Sequence, residues 1–260
     1  MNLNLTKRQK IIISSILLTL GLFSTQLVDF DLRFRFIAGL ALSAYFLSLW
    51  ALWEGLSPIK AVVLLILPTL YALAVASFYF LLPVRWLTRL PVGLFFGLTF
   101  YLLLLSQNVF NVASLRTIPL YRAASTANFL FTLITAFFII NVLAAFNLPF
   151  WANGGFVFVI SFPLIMQFIW AQEMEDSMGT AILGQTFILS LVLGELALAF
   201  SFWPIKAPMF SLAVSSSMYV LLGLLTGWLK NRLNRRVIWE YLIIGMAVFM
   251  VAFLTTSWIG

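Results

Sequence analysis

The chain has 260 residues, 63% of them apolar and only 9% charged, with a net charge of +7. A soluble domain carries about 25% charged residues, so water is excluded as the solvent for most of this surface and lipid takes its place. With no cysteine and no histidine, disulfides, thiol chemistry, Cys/His zinc sites and imidazole catalysis are excluded as well.

Nine apolar runs approach the length of about 20 residues that a spanning helix needs. They cover roughly residues 11–28, 36–53, 60–82, 91–112, 124–146, 150–171, 179–202, 208–229 and 238–258. In hydrocarbon the backbone is satisfied only by hydrogen bonds within each segment. The expected fold class is therefore all-α: a polytopic transmembrane helix bundle of nine spans, forming one integral membrane domain over 1–260. The first run follows Lys7, Arg8 and Lys10 in the manner of a signal peptide. However, Ser24-Thr25-Gln26 stands where a small-residue cleavage site would, so the run reads as a retained signal-anchor helix.

The segment after it, "DFDLRFRF", sets Asp29 four residues before Arg33 and Asp31 four before Arg35, the spacing of helical ion pairs. The third run is interrupted by Pro68 and the sixth by Pro163. Interrupted helices in matching positions of inverted halves are a feature of transporters, although proline is common in spanning helices generally. Gly93 and Gly97 in the fourth run, like Gly223 and Gly227 in the eighth, let helix backbones approach closely.

Between the fourth and fifth runs lies "SQNVFNVASLRTIPLYRAASTANF", polar and without a carboxylate. Pro119 breaks the helix and suits the first turn of the next. Arg116 then falls near a helix C-terminus, where a cation is favoured, and Arg122 near an N-terminus, where it is not. Arg116, Arg122 and Asn128 are thus candidates for holding an anion or a lipid headgroup, with an ordinary turn as the other reading. The inner segment "QEMEDSMGT" gathers Glu173, Glu175 and Asp176. It lacks calcium-loop spacing, so an electrostatic face is expected and no metal site is assigned.

Glu195 is the acidic residue furthest inside an apolar run. It stands eight residues before Trp203, about 12 Å along a helix and so near the midplane of a core about 30 Å thick. A carboxylate there costs about 2.5–3.5 kcal/mol on insertion scales and ordinarily faces the bundle interior. Gln185 falls on the same side of the helix. Together they are candidates for an ion relay, or for a carboxylic acid that hydrogen-bonds two helices.

Lysine and arginine gather on one side of the alternating runs. Lys7, Arg8, Lys10, Lys60, Arg116, Arg122, Lys230, Arg232, Arg235 and Arg236 fall on one side, and Arg33, Arg35, Arg85, Arg89 and Lys206 on the other. The bias sets the N-terminus in the cytoplasm and the C-terminus outside. It also accounts for the net charge, and no basic run tracks a nucleic acid. Tryptophans 50, 53, 86, 151, 203, 228, 239 and 258 stand near the run ends, as interfacial anchors do.

"NVFNVASLRTIPLYRAA" followed by "FLFTLITAFF" resembles a segment of uncharacterised multi-pass membrane proteins of candidate-phylum bacteria. The resemblance implies a prokaryotic plasma membrane and no particular activity. Three functions stay open: a non-catalytic membrane component such as a scaffold or assembly partner, a small-molecule or ion transporter with Glu195 as relay, and a membrane enzyme acting on a lipid-linked substrate. Membrane lipids are the expected partners, with a second protein or a second copy as further candidates. No cofactor is called for.

Overall fold

The computed structural model describes residues 5–25, 32–83, 85–113, 120–174 and 179–256. Among them the chain forms nine α-helices and no strand: α1 (Lys7–Ser24), α2 (Arg33–Leu52), α3 (Pro58–Leu81), α4 (Trp86–Ala113), α5 (Tyr121–Ala145), α6 (Phe150–Glu173), α7 (Thr180–Phe200), α8 (Ala207–Leu229) and α9 (Arg235–Thr255). Eight of them, α2 to α9, are long and apolar enough to cross a membrane. The architecture is the all-α helical bundle that the apolar runs require.

The remaining helix, α1, holds Lys7, Arg8 and Lys10 in its first four residues. It begins four residues before the apolar run because Thr6 and Gln9 form a capping box. The Gln9 amide donates to Thr6 Oγ1 at 3.4 Å, and the Thr6 amide donates to Gln9 Oε1 at 2.9 Å; both satisfy N-terminal donors that a helix leaves open. α1 lies antiparallel along α2. Lys10 meets Glu54 at one end, Ser14 Oγ donates to the Leu47 carbonyl at 3.2 Å, and Gly21 stands against Leu40 further along. α1 therefore shares the depth of a spanning neighbour, and its cations sit at the end where long side chains reach the interface.

Two compact units form. The first is built from α1 to α4 with the first part of α5, and the second from the rest of α5 with α6 to α9. In the first, α1 packs on α2 and α4, and α3 packs on the same two helices. Gly93 and Gly97 of α4 face Phe23 and Thr19 of α1, so the small residues serve packing inside the unit. Tyr71 anchors the interior. Its ring stacks on Phe96 with centroids 5.9 Å apart and meets Phe131 edge-on at 5.5 Å, while its hydroxyl shares a 2.6 Å hydrogen bond with Thr99. A buried phenol needs that partner, since an unpaired hydroxyl in an apolar medium is costly.

In the second unit Asn141 Nδ2 donates to Ser211 Oγ at 3.2 Å, joining α5 to α8, and Asn153 Nδ2 donates to Ser201 Oγ at 3.1 Å, joining α6 to the end of α7. Gly223 of α8 faces Tyr241 of α9. In α6 and α7, Gly154 and Gly194 oppose one another. A Cβ on either would stand 3.0 Å from the other's carbonyl oxygen.

A side chain at that crossing has only backbone to push against, so Gly194→Leu should lower stability by about 1–3 kcal/mol, the usual range for overpacking. Gly155→Leu, whose Cβ would meet nothing within 4 Å, should leave it unchanged. Thermal unfolding of the two variants in detergent checks the pair.

Candidate functional site

The first unit gathers its polar side chains where α1 and α3 begin and α2 and α4 end. Glu54 follows the last turn of α2. Its Oε1 accepts from Lys10 Nζ at 3.0 Å, its Oε2 lies 3.8 Å from Lys7 Nζ, and its backbone carbonyl accepts from Lys7 Nζ at 2.7 Å. The hydrogen bond from Lys10 and the charges of Lys10 and Lys7 hold its carboxyl below the usual carboxylate range, against a smaller opposing effect of desolvation. Its side chain is 54% exposed, and pairs this open to water contribute little to stability.

Behind this exposed pair lies a buried layer. Asn111, 1% exposed near the end of α4, donates through Nδ2 to the carbonyls of Leu52 at 3.0 Å and Glu54 at 3.2 Å. It thereby caps α2 from a neighbouring helix, since the last carbonyls of a helix have no partner of their own. Lys60 is the third residue of α3, whose start is capped by Ser57. It is 5% exposed and points its ammonium at the Asn111 carbonyl, 3.4 Å away, where the negative end of the α4 dipole favours a cation. One turn earlier on α4, Gln107 Nε2 donates to Asn128 Oδ1 of α5 at 3.0 Å, and Thr132 Oγ1 donates back to the Asn128 carbonyl at 2.8 Å. Gln107, Asn128 and Thr132 are fully buried.

The layer joins four helices, α2 to α5, in one polar seam. Its groups are amides, hydroxyls and one ammonium, which suits mutual positioning and contact with anions. Nothing in it pairs a nucleophile with a base, and no group of three metal-ligating side chains occurs among the described residues.

Of the residues singled out from the sequence, Asn128 belongs to this layer. Arg122 does not. Six residues along α5 turn the helix by about 240°, so Arg122 faces outward and exposed while Asn128 faces in. The two therefore do not share a face for one anion. Arg116 lies outside the described residues, as do Asp29, Asp31, Glu175 and Asp176; Glu173 ends α6. Lys60 is a member not singled out from the sequence, where it counts only toward the charge bias. Ser57-Pro58 was the signal, since proline at the first helical position places Lys60 already inside α3.

Glu195 differs from its expected setting in two respects. α7 ends at Phe200, ahead of Trp203, so Glu195 sits about 7–8 Å past the helix middle rather than at it. Moreover it is exposed on the outward side of α7 instead of facing the bundle interior, and it makes no ion pair or hydrogen bond among the described residues. The cause is the neighbouring Gly194, whose close approach to Gly154 turns that side of the helix inward and carries the next residue out. Gln185 is half-buried, and its Oε1 is enclosed without a hydrogen-bond partner.

A family model described as "Protein of unknown function (DUF5656)" matches residues 48–255, from the end of α2 to the end of α9. No curated protein and no solved structure matches the chain.

Removing the Asn111 amide leaves the last carbonyl of α2, that of Leu52, without its donor, while the Glu54 carbonyl keeps Lys7. Asn111→Ala should therefore destabilise the chain by about 1–3 kcal/mol, read as a lowered melting temperature. The folded carboxyl of Glu54 titrates below its ordinary value of 4.5. Its contribution is therefore present above that value and lost as pH falls through the lowered one. The small difference in melting temperature between wild type and Glu54→Gln should accordingly be seen at neutral pH and close in acid.

Proposed function

The chain belongs to this DUF5656 family of unknown function, and from that starting point we propose that it is a non-catalytic component of a prokaryotic plasma membrane, whose helix α7 receives a spanning helix of a different polypeptide. The observation that carries the reading is Glu195, a carboxylate presented outward from an apolar helix with no partner of its own among the described residues. Exposed to lipid there, about 7–8 Å past the helix middle, it carries a desolvation cost, smaller than the helix-centre value of about 2.5–3.5 kcal/mol. A neighbouring helix with a donor or a cation at the same depth removes that penalty.

The surface around it has the form of a helix-packing seam. Ala181, Gly184, Ile188, Leu191, Glu195 and Leu198 are all exposed and recur at alternating steps of three and four. Such a seam with one polar member fixes both partner and register. Ala181 and Gly184 keep one end narrow, and a Cβ at Gly184 would meet nothing within 4 Å, so a second backbone can come close. Two copies related by a two-fold axis along α7 would set Glu195 against Glu195, like charge against like. That favours a different chain. The lysine and arginine bias supports a cytoplasmic N-terminus, and the resemblance of residues around α4 and α5 to bacterial multi-pass proteins supports the plasma membrane.

A second reading, transport with Glu195 and Gln185 as an ion relay, is favoured by the enclosed and unpaired Oε1 of Gln185.

A photo-crosslinking residue at Leu191 or Leu198 should join the chain to a distinct polypeptide in cells, and Glu195→Leu should remove the product, while the same probe at Met246 of α9 gives none. A product of twice the chain's mass, or one indifferent to Glu195, would refute the assembly reading. Proton or cation flux in liposomes that is abolished by Glu195→Ala would establish the relay in its place.

A further inference from the structure

A groove of about 500 Å³ runs between α1 and α2 in the first unit. Arg35, the third residue of α2, and Ser24, the last of α1, stand at its mouth, while Leu18 and Leu40 form its buried floor. Gly39 lies along it without a Cβ, and one placed there would meet nothing within 4 Å, so the groove stays open at its middle. The hydroxyls of Ser24 and Ser43 donate back to the carbonyls of Gly21 and Gly39, which leaves apolar walls below the mouth. From Arg35 to Leu47, at the far end, is twelve residues of helix, about 18 Å. One leaflet of a hydrocarbon core about 30 Å thick has nearly that depth.

Further arginines stand at the same end of the unit. Arg33 and Arg35 open α2, and Arg85 and Arg89 stand where α3 gives way to α4. The guanidiniums of Arg33 and Arg89 lie 5.3 Å from the ring centroids of Phe80 and Tyr79, so they flank the last turn of α3. Arg89 is 5% exposed and its buried Nε has no partner. None of Arg35, Arg85 and Arg89 makes an ion pair among the described residues. Arg35, at the mouth itself, is exposed, and the planar fork of a guanidinium fits phosphate oxygens in particular.

We propose that this groove binds one anionic glycerophospholipid, with its phosphate held by Arg35 and one acyl chain laid over Gly39. The source is a lipid of the surrounding leaflet because the groove ends where a single leaflet ends, and a much longer polyprenyl chain would overrun it. The neighbouring arginines add attraction for the negative headgroup without having to touch it.

The full chain purified in mild detergent, examined by native mass spectrometry after incubation with phosphatidylglycerol or with diacylglycerol of the same chains, tests the assignment. Wild type should retain one phosphatidylglycerol per chain and prefer it to diacylglycerol by about tenfold, as for a charge-assisted contact. Arg35→Gln should lose that preference. Gly39→Leu, whose Cβ would meet nothing within 4 Å and whose side chain would occupy the groove, should lose retention of both lipids, and Gly155→Leu, an equally open glycine elsewhere, should behave as wild type. Equal phosphatidylglycerol retention by wild type and Arg35→Gln would overturn the proposal. So would an undiminished adduct in Gly39→Leu, or displacement of the glycerophospholipid by a polyprenyl phosphate.

Discussion

A backbone surrounded by hydrocarbon has no water to turn to, and the chain's other features answer to that constraint. It makes every long element a helix, and it governs the side chains as well. Hydroxyls along the spans donate to carbonyls of their own helix, as Ser15, Thr19, Thr132 and Thr135 do four residues back. Helix ends then become the difficult places, because their last carbonyls and first amides lack partners within the segment. The buried layer around Asn111, Gln107 and Asn128 answers that difficulty with side chains borrowed from adjacent helices. It is the means by which the first unit closes, whatever else passes near it.

The same constraint sorts charge by depth. Lys7, Lys10 and Glu54 meet at helix ends, where their charges are part-exposed and cheap to keep. Lys60 goes further in but remains within the first turn of α3, aimed at a carbonyl. Only Glu195 stands well inside a helix with no answering group on its own chain among the described residues. In water an exposed glutamate would need no explanation; on a lipid-facing helix its exposure is what calls for one.

Helix number and class could be read from the sequence because they depend on composition over windows of about 20 residues. Helix ends were less legible. α1 starts at Lys7 because of Thr6 and Gln9, a local capping pattern that the apolar run conceals, and α4 starts at Trp86 although Pro91 follows within it. Which way a residue faces was the least accessible. Arg122 and Asn128 belong to one polar stretch yet point apart, and Lys60 looks like a loop charge until Ser57-Pro58 fixes the start of α3. Glu195 could be found from its neighbours' polarity but not oriented, since its direction is set by a glycine contact between α6 and α7 that depends on tertiary packing. The groove between α1 and α2 had no sequence signal beyond the absence of a side chain at Gly39.

Exposed apolar surface on a spanning helix is therefore no sign of function in itself, since lipid covers it at no penalty. What distinguishes two stretches of this surface is a polar group that lipid tails cannot satisfy. On α7 that group is a carboxylate inside the span, five residues before the helix ends, for which the proposed answer is a polar side chain from another helix. At the mouth of the α1–α2 groove it is a guanidinium at the end of a helix, within reach of headgroups, and there the proposed answer is a phosphate. Depth and sign of charge together distinguish the two stretches, although both are lined mainly by apolar residues.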